Sequence, residues 1–331
     1  HDDGGATDPM LTETGTTIDF PVPLPAVRRG DHWVARAGDI ELRLTNLTKV
    51  FWPESGLTKG DLLSYYFNAA LTLLPHVAGR PLTLRRTPEG VDGPYWYEKD
   101  APAYTPEWMP ILEIDATSEQ RTIRFAAIED VASLLWIVNV GCIELHPHHS
   151  RGPQQDRPSY AVFDLDPFPP AGIEEVRTVA ALVRVSLGEL GLTGFPKTSG
   201  GHGMQVYVPL DESHAYEDVR AFVAAVSRLI QDAAPDLTTL DWQTRRRAGK
   251  VFLDANMNRA GASFAAPYSV RARWGAPVSM PFRWDELADV DPSAFTLATS
   301  LERIAADDDP FAPVAGGLQQ SLTEPSALLG L

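Results

Sequence analysis

The stretch YAVFDLDPFPPAGIEEVRTVAALVRVSLGEL, residues 160–190, decides the fold. Its first six residues form an apolar run, which predicts a buried strand with acids at its end. Pro167, Pro169, Pro170 and Gly172 stop that strand. From Ile173 to Leu190 the apolar residues recur at helical spacing. Downstream the alternation repeats: a turn over Pro196–Gly201, a strand over Met204–Pro209, a helix over Tyr216–Ala233, and a short strand Val251–Leu253 that ends on Asp254. Strand–helix–strand alternation predicts an α/β (α+β) fold.

Upstream, Ile40–Leu44 alternates as a strand. Thr58 has the character of an N-cap for a helix over Lys59–Leu74, with Pro75 placed where it would fade. Leu82–Arg86 and Tyr95–Glu98 read as strands across a Pro/Gly turn, and Ile123–Ala127 as a strand before a helix near Ile128–Gly141. Residues 1–35 are rich in Gly, Thr, Pro and acid and read as a flexible arm; residues 291–331 read as a short helix (Pro292–Ala306) and tail. Between them, residues 36–290 are expected to form one domain of two packed modules, about 36–150 and 151–290.

At 331 residues and 44% hydrophobic, the chain can bury a sizeable core. The longest apolar run, Val131–Val140, is short of the roughly 18 residues that span a bilayer. No signal-peptide pattern is read at the N-terminus, and Cys142 is the single cysteine, which fits a reducing cytoplasm. A net charge of −16 argues superficially against nucleic acid as a partner. Yet Arg245, Arg246, Arg247, Lys250, Arg271 and Arg273 concentrate positive charge, and a local basic cleft can bind phosphates on an acidic protein.

Asp164 and Asp166 stand two apart on a strand, so their carboxylates share one face. Like charges that close need a cation, and paired oxygen ligands with room for water and phosphate suit Mg²⁺ or Mn²⁺. The bland alternative is two solvated surface acids. Asp254 ends a short apolar strand; antiparallel pairing would add a third carboxylate, the alternative being a simple N-cap for Ala255–Asn256. Ser199, Gly200, Gly201, His202 and Gly203 form a glycine-rich turn whose backbone N–H groups can cradle phosphate, though glycine pairs are common in turns. Arg247, Lys250, Arg271 and Arg273 would supply cations for a triphosphate. Cys142, His146, His148 and His149 do not have a zinc spacing, and His146 reads better as a nucleotide contact. Trp96 and Tyr97 offer a face for a base to stack on, or an aromatic strand core.

These motifs, taken in order, resemble the polymerase domain of bacterial ATP-dependent DNA ligase D and the stand-alone primase-polymerases of the archaeo-eukaryotic primase superfamily. The matching stretches are LTNLTKVFWPESGLTKGDLLSYY (44–66), YWYEKD (95–100), ELHP (144–147), FDLDP (163–167), KTSGGHG (197–203), RAGKVFLD (247–254) and APYSVRAR (266–273). The resemblance implies a primase-like core with an RRM-like sheet beside an N-terminal α/β module. It implies that Asp164, Asp166 and Asp254 hold two Mn²⁺ or Mg²⁺ ions and that Ser199, His202, Arg247, Lys250 and Arg271 hold the incoming nucleotide, with His146 near the sugar. Asn46, Lys49 and Lys59 match a pocket for the 5′-phosphate across a gap, and Trp96 and Tyr97 a pair that engages template. The implied activity is addition of NTPs or dNTPs, with ribonucleotides preferred, to primer 3′ ends at gaps and double-strand breaks. The implied partners are gapped or broken DNA, a DNA ligase and an end-binding protein at the nucleoid.

Two departures stand out. In and just after the glycine loop, His202 occupies a position where the family commonly has a lysine or another basic residue, and Gln205 one where it often has a histidine; the aromatic pair is Trp96–Tyr97 where Phe-Phe is familiar. Histidine is only partly charged near neutrality, so triphosphate affinity is expected to be weaker or pH-dependent. The rival readings are a non-catalytic module that binds 5′-phosphorylated DNA ends and a two-metal phosphoesterase.

Overall fold

The computed structural model describes residues 24–116 and 120–331. β1 (Ala26–Arg29), β2 (His32–Ala37) and β3 (Ile40–Leu44) form an antiparallel meander. This shortens the arm expected over residues 1–35. Residues 1–23 lie outside the described residues, but Ala26, Trp33 and Ala35 turn inward, and Gly30 takes the positive φ of 63° that the first turn requires. Arginines and acids on the outward face hide the alternation in the letters.

A small ribbon, β4 (Val50–Trp52) and β5 (Leu57–Thr58), leads into α1 (Lys59–Val77). Thr58 caps α1 as expected: its hydroxyl accepts from the Asp61 N–H at 3.2 Å, and the Asp61 carboxylate accepts from the Thr58 N–H at 2.7 Å. The helix does not fade at Pro75, which lies in its last turn. Leu71, whose carbonyl the proline leaves without a helical donor, is exposed, so water can serve it.

Next come β6 (Leu82–Arg86), β7 (Trp96–Glu98), β8 (Ile111–Ala116), β9 (Arg121–Ala126), α2 (Val131–Asn139) and β10 (Cys142–Pro147). β10, β6 and β7 make one antiparallel sheet with β6 central, and β8 pairs with β9.

The second half holds a five-stranded sheet in the order β12-β13-β11-β15-β14: β11 (Tyr160–Pro167), β12 (Phe195–Thr198), β13 (Met204–Pro209), β14 (Thr238–Thr239) and β15 (Val251–Leu253). All pairs are antiparallel except β14–β15. α3 (Ile173–Glu189) and α4 (Tyr216–Ala233) pack on one face, against Ala161, Phe163 and Leu165. Tyr160 and Val162 face the other way, onto Phe264, Phe311 and Val314, and Asp164 and Asp166 continue that second face toward the strand end. The turn expected over Pro196–Gly201 begins only after Thr198. β12 is an edge strand, where proline costs little because its missing N–H is not needed by a neighbour. The helix expected over Pro292–Ala306 is confined to α5 (Ser300–Ala306), with α6 (Thr323–Leu328) beyond it.

Two main apolar cores result. One joins Leu24 through Leu145 with Ala266–Met280; the other is centred on β11, β13, α3 and α4. The chain therefore returns to the first core after building the second. Tyr65 donates to the Tyr268 carbonyl at 2.9 Å, and the Trp52 indole donates to the Arg273 carbonyl at 2.9 Å.

Candidate active site

β11 carries two of the three expected carboxylates, and its pairing brings the third. Asp164 lies opposite Gln205 of β13, and Asp166 opposite Phe252 of β15. Antiparallel β15 ends beside β11, and the Asp254 N–H reaches the Asp164 carbonyl at 3.4 Å. The Asp254 carboxylate also caps the following turn by accepting from the Asn256 N–H at 3.0 Å.

Asp164 is buried. Burial, then the neighbouring charge of Asp166, raises its pKa well above the usual carboxylate range; Asp254 adds to this, and the hydrogen bond from the Gln205 amide at 2.9 Å opposes it. Burial and the charge of Asp254 also raise Asp166, against the pull of Arg247, Arg273 and Arg271. Asp254 is raised by burial and held back by the Asn256 N–H, Arg247 and Arg259. Carboxylates crowded this way favour a proton or a cation, so the donor set fits hard divalent ions. They do not form a closed cage: among the described residues no three His, Cys, Asp or Glu side chains are gathered as one metal cluster. Bare carboxylates repel, and magnesium usually keeps waters and substrate phosphates in its shell.

The glycine loop between β12 and β13 lies directly over this strand end. A Cβ on Gly203 would fall 2.4 Å from the Leu165 carbonyl oxygen and 3.1 Å from an Asp166 carboxylate oxygen. Gly200, at φ 70°, packs against the Arg271 side chain so closely that a Cβ would meet it at 2.5 Å. Inside the loop the Ser199 hydroxyl accepts from the Gly201 N–H at 3.1 Å, and Arg271 donates to the Ser199 carbonyl. His202 is exposed at the rim of a cavity of about 280 Å³, which Gly201, Pro167 and Pro169 also line.

The cations divide. Arg271 and Arg273 reach the loop and act on Asp166. Arg247 is buried over Phe252, 3.4 Å from the ring centroid, and donates to the carbonyls of Asp241 and Trp242. Lys250 is tied to the Pro235 carbonyl at 2.6 Å, at the far end of β15 from the acids. His146 does not stand free; its Nε2 pairs with Glu144 at 2.7 Å, and its ring meets Tyr97 edge-on at 6.4 Å.

Glu144 is a residue that the motif reading leaves without a role. Burial would raise its pKa, but the His146 hydrogen bond and the charges of Arg271, His146 and Arg85 hold it below the usual range. It also accepts from the Ala272 N–H at 2.8 Å, so one carboxylate ties β10, β6 and the Arg271 loop together. The buried Lys197, which donates to Ser279, is likewise left without a role, and Gln205, singled out only as a departure from the family's histidine, is the amide that donates to Asp164. A buried polar residue on a catalytic strand was the available signal.

Asn46, Lys49 and Lys59 also converge. Asn46 adopts a left-handed φ of 56° in the turn that Lys49 closes. Lys49 pairs with Glu89 at 2.7 Å. Lys59 is buried and donates to the Thr45 carbonyl at 2.7 Å and to Asn139 at 2.9 Å. Burial, followed by the charges of Lys49 and Arg86, lowers its pKa to about 7. Trp96 and Tyr97 are both exposed on the short edge strand β7, with Arg86 over the Trp96 ring and His146 against Tyr97.

An α/β core with acids at a strand end, a glycine loop above them and arginines around the rim belongs to the primase-polymerase class. The chain belongs to the LigD primase-polymerase domain family, whose model matches residues 58–311. It is 35% identical over 281 residues to the multifunctional non-homologous end joining DNA repair protein LigD of Mycobacterium tuberculosis, an overlap of 82% of this chain and 37% of that protein. To the LigD proteins of Pseudomonas aeruginosa and Bacillus subtilis it is 32% and 30% identical, covering 94% and 82% of this chain and 37% and 44% of theirs. The chain thus spans about two fifths of the length of these curated relatives. The polymerase domain of M. tuberculosis ligase D, solved in complex with DNA, superposes with a TM-score of 0.77 at 33% identity, over 83% of this chain and 98% of that one. Among the described residues no helix is long and apolar enough to cross a membrane.

Proposed function

We propose that the chain is a template-directed nucleotidyltransferase that adds NTPs, ribonucleotides by preference, to primer 3′ ends in gap filling and end joining. The observation that carries this reading is the placement of the Ser199–Gly203 loop and Arg271 against Asp166, which joins a carboxylate site to a phosphate cradle. A phosphoesterase needs the acids but not the loop. A pure DNA-end binder gains nothing from clustered carboxylates beside phosphate.

Asp164, Asp166 and Asp254 would hold two divalent ions, Mn²⁺ or Mg²⁺, which supply charge neutralisation at the reacting phosphate. The loop N–H groups, Ser199, His202 and Arg271 hold the β- and γ-phosphates of the nucleotide. Arg247 and Arg273 add positive charge beside the acids, while Lys250, bound to Pro235, would have to release that contact to join them. His146, hydrogen-bonded to Glu144, would contact the sugar. The primer O3′ bonds to the α-phosphorus as the bond to pyrophosphate breaks, and the hydroxyl proton leaves to solvent. Catalysis is then positioning plus charge neutralisation.

Asn46, Lys49 and Lys59, in the module of residues 36–150, take the downstream 5′-phosphate, and Trp96 and Tyr97 stack on template. The core of residues 151–290 carries the chemistry. A ligase and an end-binding protein at the bacterial nucleoid are the expected partners. A labelled primer–template, incubated with NTPs and Mn²⁺, tests the reading: lengthening supports it, shortening indicates a phosphoesterase, and binding without either indicates an end-binding module.

A further inference from the structure

We propose that the pocket lined by Trp242, Arg228 and Asp254 seats the sugar–phosphate of the primer's 3′-terminal nucleotide. The inference rests on the polymerase reading and adds where the attacking strand lies. The sheet order places the loop between β12 and β13 on one side of Asp164 and Asp166, and β15, which ends on Asp254, and β14 on the other. In phosphoryl transfer the attacking and leaving oxygens are roughly in line across the phosphorus. If pyrophosphate leaves at the Ser199–Gly203 loop, the primer hydroxyl must arrive from the β15 side.

A cavity of about 270 Å³ lies there, lined by Arg228 of α4, Leu240, Trp242, Phe252, Asp254 and Asn256. Trp242 is 65% exposed although it stands beside a carboxylate of the site. Its ring meets Phe252 edge-on at 6.2 Å, and the Arg247 guanidinium lies 5.7 Å from its centroid. Arg228 is exposed and makes no ion pair or hydrogen bond among the described residues. An indole held by these contacts yet largely exposed suits the apolar face of a sugar, and a free guanidinium suits the last phosphodiester. The faces of a paired terminal base are taken by its neighbours in the stack, which leaves the sugar and phosphate for the protein.

The test measures primer–template binding by fluorescence anisotropy, and extension kinetics, for wild type, Arg228→Gln, Trp242→Ala and Trp242→Phe. Each is run with a natural primer and with one whose last linkage is a neutral methylphosphonate. Arg228→Gln should weaken natural primer about tenfold, the scale of one charge-assisted contact. It should lose nothing more on the neutral linkage, which costs wild type a similar factor. Trp242→Ala should raise the primer Michaelis constant about tenfold with the nucleotide constant unchanged, and Trp242→Phe should restore most of it. Equal sensitivity of wild type and Arg228→Gln to the neutral linkage would overturn the assignment, as would a Trp242→Ala effect on nucleotide alone. A wild-type protein that binds primer but never extends it would instead refute the polymerase reading.

Discussion

Asp164 concentrates the conflict in this site: it is buried, faces two like charges, and has one amide donor to relieve it. Asparagine keeps the shape and can still accept from Gln205. Asp164→Asn should therefore abolish primer extension yet raise metal-free stability by about 1 kcal/mol, seen as a melting temperature a few degrees higher. A lower melting temperature would show that the repulsion is not the dominant local force. Lys59 makes a second case. Its pKa of about 7 means that part of the population is neutral at physiological pH. A phosphate binds the charged form, so preference for 5′-phosphorylated over 5′-hydroxyl gapped DNA should fall several-fold from pH 6.5 to 8.5. A preference constant over that range would remove Lys59 from the pocket. The spacing of Asp164 and Asp166 was readable from sequence because strand parity alone puts them on one face. The burial of Lys59 was not, because Thr45 and Asn139, which satisfy it, lie 14 and 80 residues away.

At the level of elements, the β12–β13 turn matters most. Gly203 is required by close approach to the β11 backbone, where no flexible side chain can yield. Gly203→Ala should displace the loop from Asp166, raising the nucleotide Michaelis constant at least tenfold while the rest of the sheet stays folded. An unchanged constant would mean that the loop does not seat phosphate. The long helices and β11, β13 and β15 were legible because their apolar periods are clean and their ends carry Thr, Pro or Gly. β10 was not, since five of its six residues are buried and no alternation marks it. β12 was hidden by Pro196, which reads as a turn unless the strand is known to be an edge. β1 and β2 were masked by outward charge, and the length of α1 by a proline in its last turn.

Over the whole molecule, the two cores meet where His148 and His149 follow β10. Arg80, at the end of the first core, donates to both of their carbonyls and to Ser159, and lies over the Tyr160 ring of β11. His149 stacks on Phe264, nearly parallel at 5.6 Å, and neither ring nitrogen has a hydrogen-bond partner among the described residues. Sequence could supply the histidines but not this junction, which depends on contacts across four separate segments. Burial, then the charge of Arg80, lowers the pKa of His149 to about 3; burial lowers that of His148 to about 4. Both bases are thus depressed in the folded state relative to an unfolded value near 6.5. Below that pH the unfolded chain takes up protons that the folded chain refuses, so stability is complete above about pH 6.5 and falls as pH drops toward 4. Each histidine should cost about 2 kcal/mol between pH 7 and pH 5, at 1.36 kcal/mol per pH unit below 6.5. His149→Phe keeps the stack and removes one of the two, so its urea midpoint should fall about half as much over that interval as the wild-type midpoint. If both proteins lose the same amount, the acid sensitivity does not lie in His149.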